Sequence, residues 1–480
     1  MRKSVSLHRA PLERPRTVPI GLGLLAAALA VVALPLPSRA EDLAQIYQLA
    51  RQADPTLAAA DANKNATEED VPQARAALLP QINGSYGYGH SDQGGKGPNT
   101  SFVQDQVGNF GIITTDASGR SRPGNLMLTQ SIFNWGNITR LRSAHALAEG
   151  AQYTYDAASQ DLLVRTATAY FGVLTAEDQL SFAQLNEKSL AKQLDQAEQR
   201  FQVGLSAITD VHVARAQHDA AVAQVITTQN AVETAREGVT QIIGKNFGDL
   251  KKLRDPLPLE KPSPADAQAW VDLANKQNPL LASAQRSVDS AEYNIATQRA
   301  GHYPTLSGSV TRSDTPSWGS VNEFASGQRF SIPSNNNLST ATTIGVTLNI
   351  PIFSGGLVSS QARQAVFQRD VAQDQLELQR RAVIANTRNA YRAVIAGISE
   401  VEATKAAVVS AQSALDATQA GFEVGTKTIV DVLISQSTLL SAQSAYSQAR
   451  HQFVLSGLQL KEAAGVVAAK DLDAVNSLLE

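Results

Sequence analysis

The chain has no cysteine, two methionines and 5% aromatic residues in 480. Without cysteine there is no disulfide, no thiolate nucleophile and no thiolate metal ligand. Positive charge is not in excess either. The formal net charge is −3, and residues 1–40 carry six Lys/Arg against one Glu, so without that +5 the rest of the chain stands at −8. A nucleic-acid partner would need a basic surface, so that class is excluded. Long apolar runs are missing too: Ile20 to Leu34 spans ~15 residues, short of the about 20 a membrane helix needs. With Arg2, Lys3, Arg9, Arg14 and Arg16 before it and Ser38-Arg39-Ala40 after it, that run reads as a signal peptide cleaved after Ala40. No cysteine follows the cleavage site, so the new N-terminus takes no lipid anchor.

Catalytic constellations are also lacking. Of the seven histidines, His212 and His218 share a helical stretch but miss the i, i+4 spacing of a metal pair. There is no phosphate-loop pattern and no nucleophile elbow, the carboxylates are scattered along helix faces as solvated charge, and the chain reads as a non-enzyme with no cofactor.

What is present is a duplication. Gln199-Arg-Phe-Gln-Val-Gly-Leu-Ser-Ala-Ile-Thr-Asp-Val-His212 repeats its plan in Ala420-Gly-Phe-Glu-Val-Gly-Thr-Lys-Thr-Ile-Val-Asp-Val-Leu433. Ala50 to Pro55 likewise matches Ala274 to Pro279, Leu79-Pro80 matches Tyr303-Pro304, and Ala169-Tyr170 matches Ala390-Tyr391. Near-constant separations mean two copies of one unit. They fall at residues 41–255 and 265–480, joined by a proline-rich connector over 256–264. In each copy the glycine of Phe-x-Val-Gly suits a helix end, with Ser, Thr or Asp beyond it to cap the next helix, giving two helix-turn-helix tips at Gly204 and Gly425.

Each copy changes pattern in the same order. A ~25-residue helix starts near Pro55 or Pro279, where proline suits the first turn, and stops before Pro80 or Pro304. Strand-like segments follow at Gln81 to His90, Asn125 to Phe133, Thr305 to Ser313 and Thr343 to Phe353. Ile344-x-Val346-x-Leu348-x-Ile350-x-Ile352 gives one apolar and one polar face. These lengths suit the 9–11 residues of a tilted membrane strand. Ser91 to Pro123 and Asp314 to Thr340 read as polar loops on one membrane face. Tyr86, Tyr88, Tyr303, Phe133, Trp135 and Phe353 fall near the two interfaces.

No proline interrupts Gly136 to Phe201 or Gly356 to Phe422, and ~66 helical residues reach roughly 100 Å. Val394, Val401, Val408, Leu415 and Phe422 recur at sevens, and beyond the tip Val432, Leu439, Tyr446, Phe453 and Leu460 continue the period. Such a repeat specifies left-handed supercoiling, hence antiparallel coiled coils near the tips. Four strands cannot close a barrel, and open edges cannot persist in hydrocarbon. Several chains must share one, and a trimer gives twelve strands. The rival reading is a periplasmic structural or adaptor coiled coil that never spans a membrane.

Thr168-Ala-Tyr-Phe171, Arg200-Phe-Gln-Val-Gly204, Ala207-Ile-Thr-Asp-Val211, Pro351-Ile-Phe-Ser-Gly-Gly356 and Thr428-Ile-Val-Asp-Val-Leu433, in this order on a duplicated frame, resemble the TolC family of outer-membrane efflux proteins. The resemblance covers essentially all of 41–480. It implies a mainly α chain with a transmembrane β part: a homotrimeric twelve-stranded barrel, four strands per chain, continuing into a long α-helical barrel with coiled-coil tips. It also implies a Gram-negative outer membrane, a periplasmic adaptor and an inner-membrane pump as partners, and export of small amphiphiles, drugs or proteins, which the chain itself does not choose between.

On this resemblance Asp431 aligns with an aspartate whose three copies ring the narrowest point. Thr209 and Asp210 align with acceptors on one tip, and Lys427 with a basic residue of the other that ties the tips shut. Phe422 stands where the family has a tyrosine, Lys427 where it has an arginine, and the family's second constriction aspartate falls on Ile434. Lysine lacks arginine's bidentate fork and Phe422 has no hydroxyl, which implies a weaker latch. Read without the resemblance, Asp210 and Asp431 suit helix caps better than a role in permeation, and Lys427 suits a solvated charge as well as a latch.

Overall fold

The computed structural model describes residues 41–98, 112–325 and 328–480; residues 1–40, where the signal peptide is expected, lie outside them. The chain opens with α1 (Leu43–Ala53), α2 (Pro55–Glu68) and α3 (Asp70–Ala76). Strands β1 (Gln81–Tyr86) and β2 (Gly89–Pro98) run out, β3 (Ile112–Ser121) and β4 (Gly124–Phe133) return, and two rods follow, α4 (Trp135–Gln202) and α5 (Ile208–Ile243). The second half runs α6 (Ala267–Gln277), α7 (Pro279–Arg299), β5 (Thr305–Ala325), β6 (Gln328–Asn349), α8 (Leu357–Glu423), α9 (Ile429–Ala463) and α10 (Ala469–Asn476).

The rods α4 and α8 are 68 and 67 residues long, as the proline-free stretches predict. Helix starts are chemically matched: Asp54 accepts the Leu57 amide at 2.7 Å ahead of Pro55, and Asn278 accepts those of Leu280 and Leu281 ahead of Pro279. These bonds satisfy amides that a helix start leaves without partners. The helix expected after Pro55 is two, α2 and α3, because the chain breaks at Glu69 and places Pro72, which has no amide hydrogen to give, in the first turn of α3.

The strands depart further from expectation. Polar stretches assigned to loops continue as paired strand: β5 and β6 pair from Thr305↔Asn349 to Ala325↔Gln328, with one shift of register between Ser317 and Gly319, and β2 pairs β3 from Gly89↔Ser121 to Pro98↔Ile112. Hydrogen bonds of a ladder join backbone groups and do not require apolar side chains, so Ser-, Thr- and Gly-rich sequence extends the hairpins. In the other direction β6 stops at Asn349, short of the Phe353 expected. Residues 87–88 and 122–123 interrupt the first hairpin, so β1 with β2 and β3 with β4 each form one ribbon. The result is one antiparallel sheet of four ribbons, in which β4 and β3 both pair β5, and β5 pairs β6.

The largest core lies midway, where α1, α4, α5, α9 and α10 meet the segment before the connector. Tyr170 and Phe171 are fully buried there, edge to face at 5.6 Å. The Tyr170 hydroxyl reaches the carbonyls of Lys251 at 2.8 Å and Glu41 at 3.2 Å, and its counterpart Tyr391 reaches Ala265 at 2.8 Å. Two matched tyrosines thus pin the ends of the connecting segment to the rods.

Candidate functional site

The sheet has two exposed faces of opposite character. Register places Ile82, Leu128, Val310 and Ile344 in one row, with Leu126, Val346, Leu306 and Leu348 in neighbouring rows of the same face. The opposite face carries Gln81, Thr129 and Ser309, then Asn83, Met127, Thr311 and Thr343, then Ser131, Ser307 and Thr347. Within one chain the apolar side stays uncovered: Ile344 is 77% exposed and Val346 68%. A soluble sheet would bury that side.

Aromatic groups bracket the apolar band. Phe133, Tyr303 and Phe353 are exposed where strands meet helices, with Trp135 opening α4 beside them. At the other end Arg122 lies over the rings of Tyr88, at 6.0 Å, and Trp318, at 5.1 Å, with Tyr86 exposed nearby. From Leu306 to Trp318 the strand climbs ~40 Å at about 3.3 Å per residue, or ~28 Å in height at a ~45° tilt. That separation of the two aromatic levels is of the order of an outer-membrane barrel's apolar height, and within it the same face also carries Arg312, paired with Asp314 at 3.3 Å. Trp318 completes this upper girdle, and its place in a stretch read as loop hid it.

The tips are near-copies. Gly204 and Gly425 take left-handed backbone, φ +74° and +81°. Around them the amides of Val203, Gly204 and Leu205 donate to Gln199, Phe201 and Arg200 at 3.3, 3.0 and 2.8 Å, and those of Val424, Gly425 and Thr426 to Ala420, Phe422 and Gly421 at 3.3, 3.1 and 2.8 Å. This is how a helix closes on a left-handed residue. The following starts differ. Thr428 and Asp431 form a capping box: Asp431 Oδ2 accepts the Thr428 amide at 2.9 Å and hydroxyl at 2.8 Å. At Ala207 there is no side-chain cap, and Asp210 accepts instead from the Ser206 hydroxyl at 3.2 Å.

The chain therefore engages Asp431 as a cap, through one carboxylate oxygen. The Thr428 amide and hydroxyl, with a smaller pull from Lys427, hold its carboxyl below the usual range, so the charge persists into acid. Thr209 and Lys427 are exposed and Asp210 is half-buried. Among the described residues no ion pair joins Lys427 to Asp210. Phe422 does connect the tips. It packs on the cluster of Leu190, Ala221, Ile429 and Leu433, drawn from both hairpins, and the Arg200 guanidinium of the first tip sits 4.7 Å from its ring centroid. The sequence offered one sign of Arg200: its position in the second copy is Gly421.

A family model described as "Outer membrane efflux protein" matches residues 46–245 and 270–466. The chain is 37% identical to the outer membrane protein TolC of Escherichia coli (strain K12), over 92% of this chain and 86% of that one. It is 29% identical to the alkaline protease secretion protein AprF of Pseudomonas aeruginosa, over 89% and 85%. The Campylobacter jejuni CmeC outer membrane channel has the same fold, with a TM-score of 0.69 at 16% identity, covering 92% of this chain and 90% of that one.

Proposed function

The chain belongs to the outer membrane efflux protein family, and from that premise we propose that three copies form the exit duct of a tripartite efflux or type I secretion system. One observation carries this reading: the sheet is mainly polar on one face, mainly apolar on the other apart from the paired Arg312 and Asp314, and open at both edges. The β1–β2 ribbon and β6 each pair on one side alone within the described chain. Three four-ribbon sheets joined edge to edge close a twelve-stranded barrel, with the polar face toward water and the apolar face toward lipid. Residues 41–255 and 265–480 act as two copies of one unit around 256–264, and the rods carry the duct through the periplasm to an adaptor and an inner-membrane pump.

The test is single-channel conductance of the purified mature chain. A small, cation-selective conductance is expected, because three Asp431 carboxylates facing one axis attract cations. Asp431→Ala should lower the selectivity while leaving insertion intact. A chain that never inserts would restore the soluble coiled-coil reading.

For closure, the Arg200–Phe422 contact supplies the latch within each chain, in place of a tyrosine hydroxyl. A cation–π pair of this exposure contributes about 0.5–1 kcal/mol, repeated in three chains, whereas an exposed Lys427 pair contributes about 0–1 kcal/mol. Arg200→Ala is therefore expected to raise closed-state conductance more than Lys427→Ser. The reverse order would return the latch to Lys427.

A further inference from the structure

Where strands give way to rods, α4, α7 and α8 border an open cavity of about 440 Å³ whose wall includes Trp135, Tyr303, Glu292, Arg299 and Arg369. Two aromatic residues fix its height. Trp135 opens α4 two positions after β4 ends at Phe133, which lies opposite Leu306 on the apolar face, and Tyr303 precedes β5 by two positions. The cavity thus sits at the foot of the apolar band, the level at which indole and phenol rings meet lipid headgroups.

Its charges are of both signs. Glu292 and Arg299 lie on one face of α7 with Ile295 between them, at helical spacing. Arg299 makes no ion pair among the described residues. Arg369 spends Nε and Nη2 on Asp370, at 2.9 and 2.8 Å, which leaves its Nη1 end for another acceptor. Two guanidinium groups suit a phosphate diester, and the guanidinium fork binds phosphate more specifically than an ammonium does. A carboxylate beside them suits a primary ammonium. A bare anion would leave Glu292 opposed by like charge, whereas a headgroup carrying phosphate and ammonium satisfies all three side chains.

We propose that this cavity binds the headgroup of a zwitterionic phospholipid of the phosphatidylethanolamine type, with the phosphate at Arg299 and Arg369 and the ammonium at Glu292. Each trimer then holds three such lipids at the point where its barrel becomes helical, tying the junction to the periplasmic leaflet. The inference rests on the outer-membrane placement proposed above.

Native mass spectrometry of the full-chain trimer, titrated with phosphatidylethanolamine, phosphatidylglycerol or inorganic phosphate, tests it. Up to three phosphatidylethanolamine adducts per trimer are expected. Arg299→Glu should weaken them about tenfold or more, on the strength of hydrogen bonds to charged groups. Glu292→Gln should erase the preference for phosphatidylethanolamine over phosphatidylglycerol, and inorganic phosphate should not displace the lipid. Wild-type retention in an intact Arg299→Glu trimer overturns the proposal. Displacement by inorganic phosphate overturns it as well, since it marks a pocket for a soluble anion. Conductance is read from the same preparation: a conducting trimer without lipid preference defeats this inference and leaves the duct standing, whereas a chain that does not insert defeats both.

Discussion

Leu128→Arg is expected to abolish assembly in the outer membrane, while Thr129→Arg, one residue on, is expected to spare it. Leu128 is the second member of the row Ile82, Leu128, Val310, Ile344, and Thr129 belongs to the row Gln81, Thr129, Ser309, Gly345 on the other face. A strand alternates faces at every residue, so these neighbours meet opposite solvents once the barrel closes. An arginine with no partner on the lipid face costs up to about 2–4 kcal/mol per chain, and three chains carry it at one height in the trimer; native Arg312, on the same face, differs in being paired with Asp314 at 3.3 Å. A lumen arginine keeps its water and alters conduction. The readout is the fraction of heat-resistant trimer recovered with the outer membrane. Equal loss from both substitutions would mean that the two faces do not meet different solvents, and the barrel reading would fall with them.

Much of this architecture is legible in the sequence because it repeats. The rods appear as two proline-free stretches with heptad periodicity, and the tips as two glycines at matched places, where only a left-handed residue closes the helix. Legibility falls where backbone chemistry outranks side-chain pattern. The hairpins run past their apolar segments because ladder bonds join backbone groups and form along Ser, Thr and Gly as well. The break at Glu69 follows from a single proline three positions later that a purely periodic reading passes over.

The tip site was partly legible. Thr428 and Asp431 stand at capping-box spacing, and the structure forms that box. The first tip has the same Asp-Val pair but Ala207 where the second has Thr428, so its start has no side-chain cap. Arg200 could not be recognised from spacing, because its partner Phe422 lies on the other hairpin and cation–π pairing leaves no sequence period.

Glu462→Gln is expected to stabilise the assembly near pH 8 and to change little near pH 4. Burial raises the Glu462 carboxyl from 4.5 to about 7, with the negative charge of Asp161 adding to the rise. Between those values the folded chain holds a proton that the unfolded chain has lost. The group's contribution is therefore full below pH 4.5 and is lost as pH rises through 7. Glutamine keeps the shape and carries no charge, so it removes the penalty on the alkaline side. His451 works in the opposite sense. Its buried ring, bonded through Nδ1 to Thr175 at 2.8 Å and lying against Phe171, has its basicity lowered by burial, while the nearby Asp178 carboxylate raises it. Its contribution is present above the ordinary histidine value and lost as pH falls. Between pH 4.5 and 6.5 the two slopes oppose, so relative to wild type the denaturation midpoint of Glu462→Gln should gain a rise with pH and that of His451→Gln a fall. If Glu462→Gln kept the wild-type profile, the carboxylate would have to be solvated or paired with a cation in the assembly, and burial could not be what raises it.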